Sequence, residues 1–130
     1  MKTYAHWLFG LAAAFNALVG LAMLLGRPLL GPMLGLAPLV GTNIAIANLA
    51  AGLILTFAYA YLRVAMDPVR FRPFIGLAVI GKLLAVACVV WPWLAGDIDA
   101  RLPRLVAGDF VFALLFADYL RRTGGRRAAS

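Results

Sequence analysis

There is no glutamate anywhere in this chain. Its acids are Asp67, Asp97, Asp99, Asp109 and Asp118, five against twelve lysines and arginines, for a net charge of +7. Charge of either sign is scarce: 13% of residues, where a soluble domain carries about one-quarter. Cysteine is nearly absent too. The lone Cys88 lies inside an apolar run, which excludes a disulfide framework or a CxxC site and reads as a small packed hydrophobe. One histidine, His6, and a few aspartates on different faces do not make a metal-ligand set. No Ser-His-Asp arrangement, phosphate loop or paired carboxylate occurs. A basic balance can signal nucleic acid. Here the arginines cluster at the ends of apolar runs, and no basic face carries interleaved aromatics, so nucleic acid is not an expected partner.

What the chain has in abundance is apolar sequence. Hydrophobic residues are 65% of 130, and the mean hydropathy is +0.95. A single domain this small leaves a large part of its area exposed, so water would not tolerate the composition, whereas a bilayer would. About 20 apolar residues cross the hydrocarbon as a helix. The chain offers four such stretches: 5–26, 44–64, 73–94 and 103–120. The first is longer than a signal-peptide core and leads into more apolar sequence, so it reads as an uncleaved span. Between the first two lies Arg27–Gly41, with Pro28, Pro32 and Pro38. It is too broken for a span and too apolar for an aqueous loop, which predicts a short interfacial segment. Asp67-Pro68 ends the second span, Pro73 suits the first turn of the third, and Pro103 opens the fourth. Tyr59 and Tyr61 at one membrane face, and Trp91 and Trp93 at the other, read as interfacial aromatics. Residues 123–130 read as a flexible basic tail. The fold class expected is all-α, an integral membrane four-helix bundle forming one domain over residues 1–122.

Four spans leave both termini on one side. That side would carry Lys2, Arg63, Arg70, Arg72, Arg121, Arg122, Arg126 and Arg127, against Arg27, Arg101 and Arg104 opposite. The positive-inside rule makes the richer side cytoplasmic.

Four polar residues away from the ends of the spans are candidates for a polar pocket: Asn16, Asn48, Lys82 and Asp109. A charge in the hydrocarbon costs a few kcal/mol on insertion scales, roughly 3, so Lys82 and Asp109 need partners or a function. At about 1.5 Å per residue, Asn16 and Lys82 fall about 16 and 13 Å above the inner boundary; Asn48 and Asp109 fall about 6–9 Å below the outer one. Lys82 and Asp109 are then about 9 Å apart in depth, and helical side chains lean toward their own N-termini, which would make them diverge. A water or an amide between them, or an uncharged Lys82, stands equal with direct contact. Small residues share a face with three of the four: Ala12, Ala13 and Gly20 with Asn16; Ala45, Ala51 and Gly52 with Asn48; Ala78 and Ala85 with Lys82. Such faces let membrane helices approach closely, so these residues are expected to face neighbouring helices. Asp109 shares its face with Phe112, Ala113 and Phe116, whereas Asp118 lies elsewhere with Arg121 and Arg122 as surface partners.

The order Tyr61…Ala65-Met66-Asp67-Pro68…Arg70, Gly76…Gly81-Lys82, then Gly96…Pro103…Asp109…Phe116…Leu120 resembles a group of small bacterial four-span membrane proteins, loosely similar to the DoxX-like family. It departs from that pattern in having Gly108 before Asp109. The resemblance implies the four-helix architecture, the bacterial inner membrane, and importance for Lys82 and Asp109; it implies no reaction. The functional expectation is a non-enzymatic membrane protein whose polar pocket, Asn16, Asn48, Lys82 and Asp109, takes an apolar ligand with an anionic or carbonyl end, or a partner helix. That ligand would be a lipid or a quinone-like molecule; no catalytic residue, metal or bound cofactor is expected. Partners are the lipid bilayer and a second copy or another membrane protein. The alternative is a small membrane enzyme or proton-coupled carrier using Lys82 and Asp109 as an acid/base or relay pair.

Overall fold

The computed structural model describes residues 2–128, with side chains as far as 124. The described residues are helices and connections without a strand: α1 (Lys2–Leu25), α2 (Arg27–Leu34), α3 (Thr42–Met66), α4 (Arg72–Leu94) and α5 (Arg101–Ala128). The chain divides after Met66 into two compact units.

The first unit is α1 packed on α3, with α2 between them in sequence. α1 buries Ala5, Leu8, Phe9, Ala12, Ala13, Asn16 and Gly20, a stripe at three- and four-residue spacing. α3 answers with Ala51, Ala58, Tyr61, Val64 and Ala65. Small side chains set the spacing between these helices. A Cβ built on Gly20 would stand 2.7 Å from Leu55 and 3.3 Å from the Ala51 carbonyl oxygen. Tyr61 is 1% exposed and belongs to this core, whereas Tyr59 is open. Of the expected tyrosine pair, Tyr61 thus packs in the seam, on the same stripe as Ala58 and Ala65, and Tyr59 alone lies at the surface.

The broken segment after α1 folds as the eight-residue helix α2. Pro28 sits in its first turn, where its missing N–H costs nothing. Gly35, at φ 75°, ends it in the left-handed conformation that glycine adopts without penalty, and the Leu36 N–H returns to the Gly31 carbonyl at 2.8 Å.

The second unit is the hairpin of α4 and α5. α4 buries Ile75, Ala78 and Lys82 on one stripe, and α5 buries Val106, Ala113, Phe116 and Tyr119. Between α3 and α4, the Arg70 N–H bonds to the Asp67 carboxylate at 3.1 Å, a side-chain-closed turn. Gly96, at φ 84°, lets the chain leave α4. Cys88 is exposed on α4, contrary to the packed reading; the buried stripe of α4 runs along a different face.

Helix boundaries fall close to the expected spans, with one clear exception. α5 continues to Ala128, so most of the stretch expected as a flexible tail is helical; Ala129 and Ser130 lie outside the described residues. By length and composition α1, α3 and α4 are able to cross a membrane. The fourth expected span lies inside α5, where Arg104, Asp109 and Asp118 interrupt the apolar sequence.

Candidate functional site

The four polar residues occur two in each unit. In the second unit the structure brings Lys82 and Asp109 together. Lys82 Nζ donates to Asp109 Oδ1 at 2.5 Å, with the lysine side chain 4% and the aspartate 21% exposed. Nζ also lies 5.4 Å from the centroid of the Phe112 ring, within the range of a cation–π contact. Phe112 is in turn tilted against Phe116 at 5.9 Å. The ammonium thus has a carboxylate and an aromatic face in place of water.

Direct contact is the outcome where the sequence left an intervening water or amide equally open, and the register of the hairpin explains it. Arg72 near the start of α4 donates to the Leu120 carbonyl at 3.0 Å and to Thr123 Oγ1. Stepping ten residues from Arg72 to Lys82, and equally far back along α5 from Leu120 and Thr123, arrives between Phe110 and Ala113. Asp109 lies within about one turn of that level, at most about 6 Å instead of 9 Å. A lysine stem spans that distance despite the usual lean of helical side chains. Of the small residues expected around Lys82, Ala78 is buried beside it and Ala85 is exposed.

Next to this pair the hairpin forms an apolar cleft of about 500 Å³, lined by Val86, Val90 and Trp93 of α4 and by Pro103, Val106 and Phe110 of α5, among others. Arg104 is its one charged lining residue. Val86 is one turn beyond Lys82, and Val106 is one turn before Asp109.

In the first unit Asn16 and Asn48 have separate partners. Asn16 is buried, and its Nδ2 donates to the Ile54 carbonyl of α3 at 3.2 Å. It ties α1 to α3 as an interhelical hydrogen bond. Asn48 is exposed, and of the small residues on its face Ala51 is buried while Ala45 and Gly52 are exposed, so the expected interior face is formed only in part. The reason lies in the partner: Asn48 Oδ1 accepts from Arg27 at 3.1 Å, a side chain at the start of α2, outside the α1–α3 seam. The antiparallel register that sets Asn16 at Ile54 leaves Asn48 about 9 Å along α3 from it. Sequence reading treated Arg27 only as a flanking charge. Its proximity to Asn48 depends on the fold-back of the proline-rich segment, which has no signal in spacing.

Elsewhere, Asp118 pairs with Arg121 at 3.0 Å and Arg122 at 2.8 Å, as its i+3 and i+4 neighbours permit. His6 Nδ1 lies 3.4 Å from the Ala65 carbonyl oxygen. In the connection before α5, the Arg101 side chain hydrogen-bonds Asp99 and holds its carboxyl well down, from 3.8 to about 2.

No family model, no curated protein and no solved structure matches the chain.

Proposed function

We propose that the chain is an integral membrane protein of four spans, a helical bundle with both termini in the bacterial cytoplasm, and that it binds an apolar ligand rather than catalysing a reaction. The helices α1, α3 and α4 supply three spans by length and composition. The charges of α5 do not oppose a fourth. Asp109 is matched by Lys82, Asp118 is matched near the other end by Arg121 and Arg122, and Arg104 lies close to the helix start. Pairing lowers the cost of each charge, and long side chains near helix ends reach the interface. The asymmetry of lysine and arginine among the connections supports the orientation. The resemblance to the DoxX-like group suits this architecture.

The observation that carries the binding reading is the apolar cleft of about 500 Å³ one turn from the buried Lys82–Asp109 pair. Sites for small molecules have this character: mostly apolar walls with a few placed polar groups. A lipid-like or quinone-like molecule suits it, with its chain along Val86, Val90, Val106 and Phe110 and its carbonyl or anionic end at a polar group. The test is the organic extract of protein purified from membranes in detergent, analysed by mass spectrometry. A molecule retained by the native chain and lost from Val86→Trp, which fills the cleft, is the expected result. Equal extracts from the two proteins would remove the reading.

The proton-coupled alternative draws on one observation: Asp109 keeps about a fifth of its side-chain surface exposed, so the carboxylate is not fully enclosed. Proton flux in liposomes that falls in Asp109→Asn while the protein stays folded would favour it over simple binding.

A further inference from the structure

The first sixty-six positions of the chain contain Lys2, Arg27 and Arg63 and not one acidic residue; Asp67 is the first. The first helical unit ends at Met66, so Arg27 has no carboxylate within its own unit. Among the described residues it makes no ion pair either. Its side chain bonds instead to a neutral amide, Asn48 Oδ1, at 3.1 Å. That single bond orients the guanidinium and leaves most of its five N–H donors for another acceptor.

Arg27 also lines a second cleft, of about 730 Å³ and independent of the one in the α4–α5 hairpin. Leu24, Pro28, Leu36, Leu39 and Ile44 make it apolar, and Arg27 is its one charged lining residue. Gly31 also lines it and is buried. The backbone contributes little to anion binding here, because Pro28 removes a donor from the first turn of α2. The cation available to a ligand is the Arg27 side chain, held at an apolar recess.

We propose that this recess is a phospholipid site, in which the lipid phosphate pairs with Arg27 and an acyl chain lies between α2 and the start of α3. The proposal rests on the reading of the chain as a membrane protein. Charge complementarity selects the occupant: a cation oriented by a neutral amide, with no acid in its unit, lining an apolar cleft. Guanidinium and phosphate form paired, charge-assisted hydrogen bonds, and the acyl chain covers surface that would otherwise be open.

The test titrates the detergent-purified full chain with palmitoyl-oleoyl phosphatidylglycerol, and separately with a diacylglycerol of the same chains, and counts bound lipid by native mass spectrometry. The native chain is expected to hold phosphatidylglycerol about tenfold more tightly than diacylglycerol, the gain of one charged hydrogen-bonded contact. Arg27→Gln is expected to abolish that difference. Asn48→Asp keeps a hydrogen-bond acceptor for Arg27 but supplies an internal counter-ion, and is expected to weaken phosphatidylglycerol binding with Arg27 still present. It serves equally if Arg27→Gln fails to fold. Gly31→Leu, which fills the recess, is expected to reduce both lipids. Undiminished phosphatidylglycerol binding in Asn48→Asp, or equal binding of the two lipids by the native chain, overturns the site while leaving the membrane reading intact. Recovery of the chain in the soluble fraction without detergent overturns both. Val86→Trp, in the other cleft, is expected to leave this binding unchanged, so the two sites fail separately.

Discussion

Lys82 Nζ and Asp109 Oδ1 stand 2.5 Å apart on the facing sides of α4 and α5, with the lysine almost fully buried. An isolated charge on either helix would carry a desolvation cost. Together, with Phe112 beside the ammonium, they form one of the two polar links of the hairpin, the other being Arg72 with Leu120 and Thr123.

Removing one partner leaves the other buried and uncompensated. Lys82→Met is expected to lower stability by about 3–5 kcal/mol, and Asp109→Leu by a similar amount. The double variant is expected to recover most of the loss, because apolar packing replaces such pairs at little cost. Denaturant unfolding in detergent micelles measures all three. A double variant as unstable as the sum of the singles would show that the two residues act independently.

Gly20 sets how closely α1 and α3 approach. A Cβ there meets Leu55 at 2.7 Å and the Ala51 carbonyl oxygen at 3.3 Å. Gly20→Ala is therefore expected to cost about 1–3 kcal/mol through overpacking. Adding Leu55→Ala relieves the side-chain clash but not the backbone one, so partial rescue of the melting temperature is the expected outcome.

Arg72 joins α4 to the later part of α5 through the Leu120 carbonyl and Thr123 Oγ1. Arg72→Met removes hydrogen bonds from a charged donor, each worth about 1.5–3 kcal/mol at most. Amide hydrogen exchange should quicken over the last turns of α5 before it does so near Asp109. Uniform acceleration along the helix would show that Arg72 does not act locally.

The Asp99 carboxyl is held down from 3.8 to about 2, first by the side-chain hydrogen bond from Arg101 and then by the Arg101 backbone N–H. A depressed carboxylate contributes stability above its ordinary titration range and loses it as pH falls toward 2. Both side chains are solvated, so the effect on global stability is slight. The local effect is measurable: a carboxyl carbon NMR titration is expected to show a midpoint near 2 for Asp99, moving toward 3.8 in Arg101→Gln. An unmoved midpoint would assign the shift elsewhere.

The helices themselves were legible. Apolar runs bounded by Asp67-Pro68, Pro73 and Pro103 gave boundaries close to those of α3, α4 and α5, because proline and turn chemistry act locally. The proline-rich segment read correctly as too broken for a span, and it forms one short helix. Asn16 lay on a small-residue face that is buried, since a seven-residue spacing stays on one side of a helix. The same reasoning misled at Asn48. A small-residue stripe says that a face is able to pack, not that a neighbour reaches it; α1 meets α3 along Ala51, Ala58 and Tyr61 and leaves Ala45 and Gly52 open. The extension of α5 to Ala128 was hidden by Gly124 and Gly125, whose low helix propensity did not end the helix.

By itself the sequence determined an all-α chain with stretches long enough to cross a bilayer, and it determined that no acid precedes Asp67. These follow from residue type and local period. Only the tertiary structure decided the partners between helices. Whether Lys82 reaches Asp109 depends on the offset of α4 against α5, and whether Asn48 meets Arg27 depends on how α2 folds back. Both are set by side-chain packing between segments distant in sequence, where a shift of about one helical turn, about 5 Å, makes or breaks a contact.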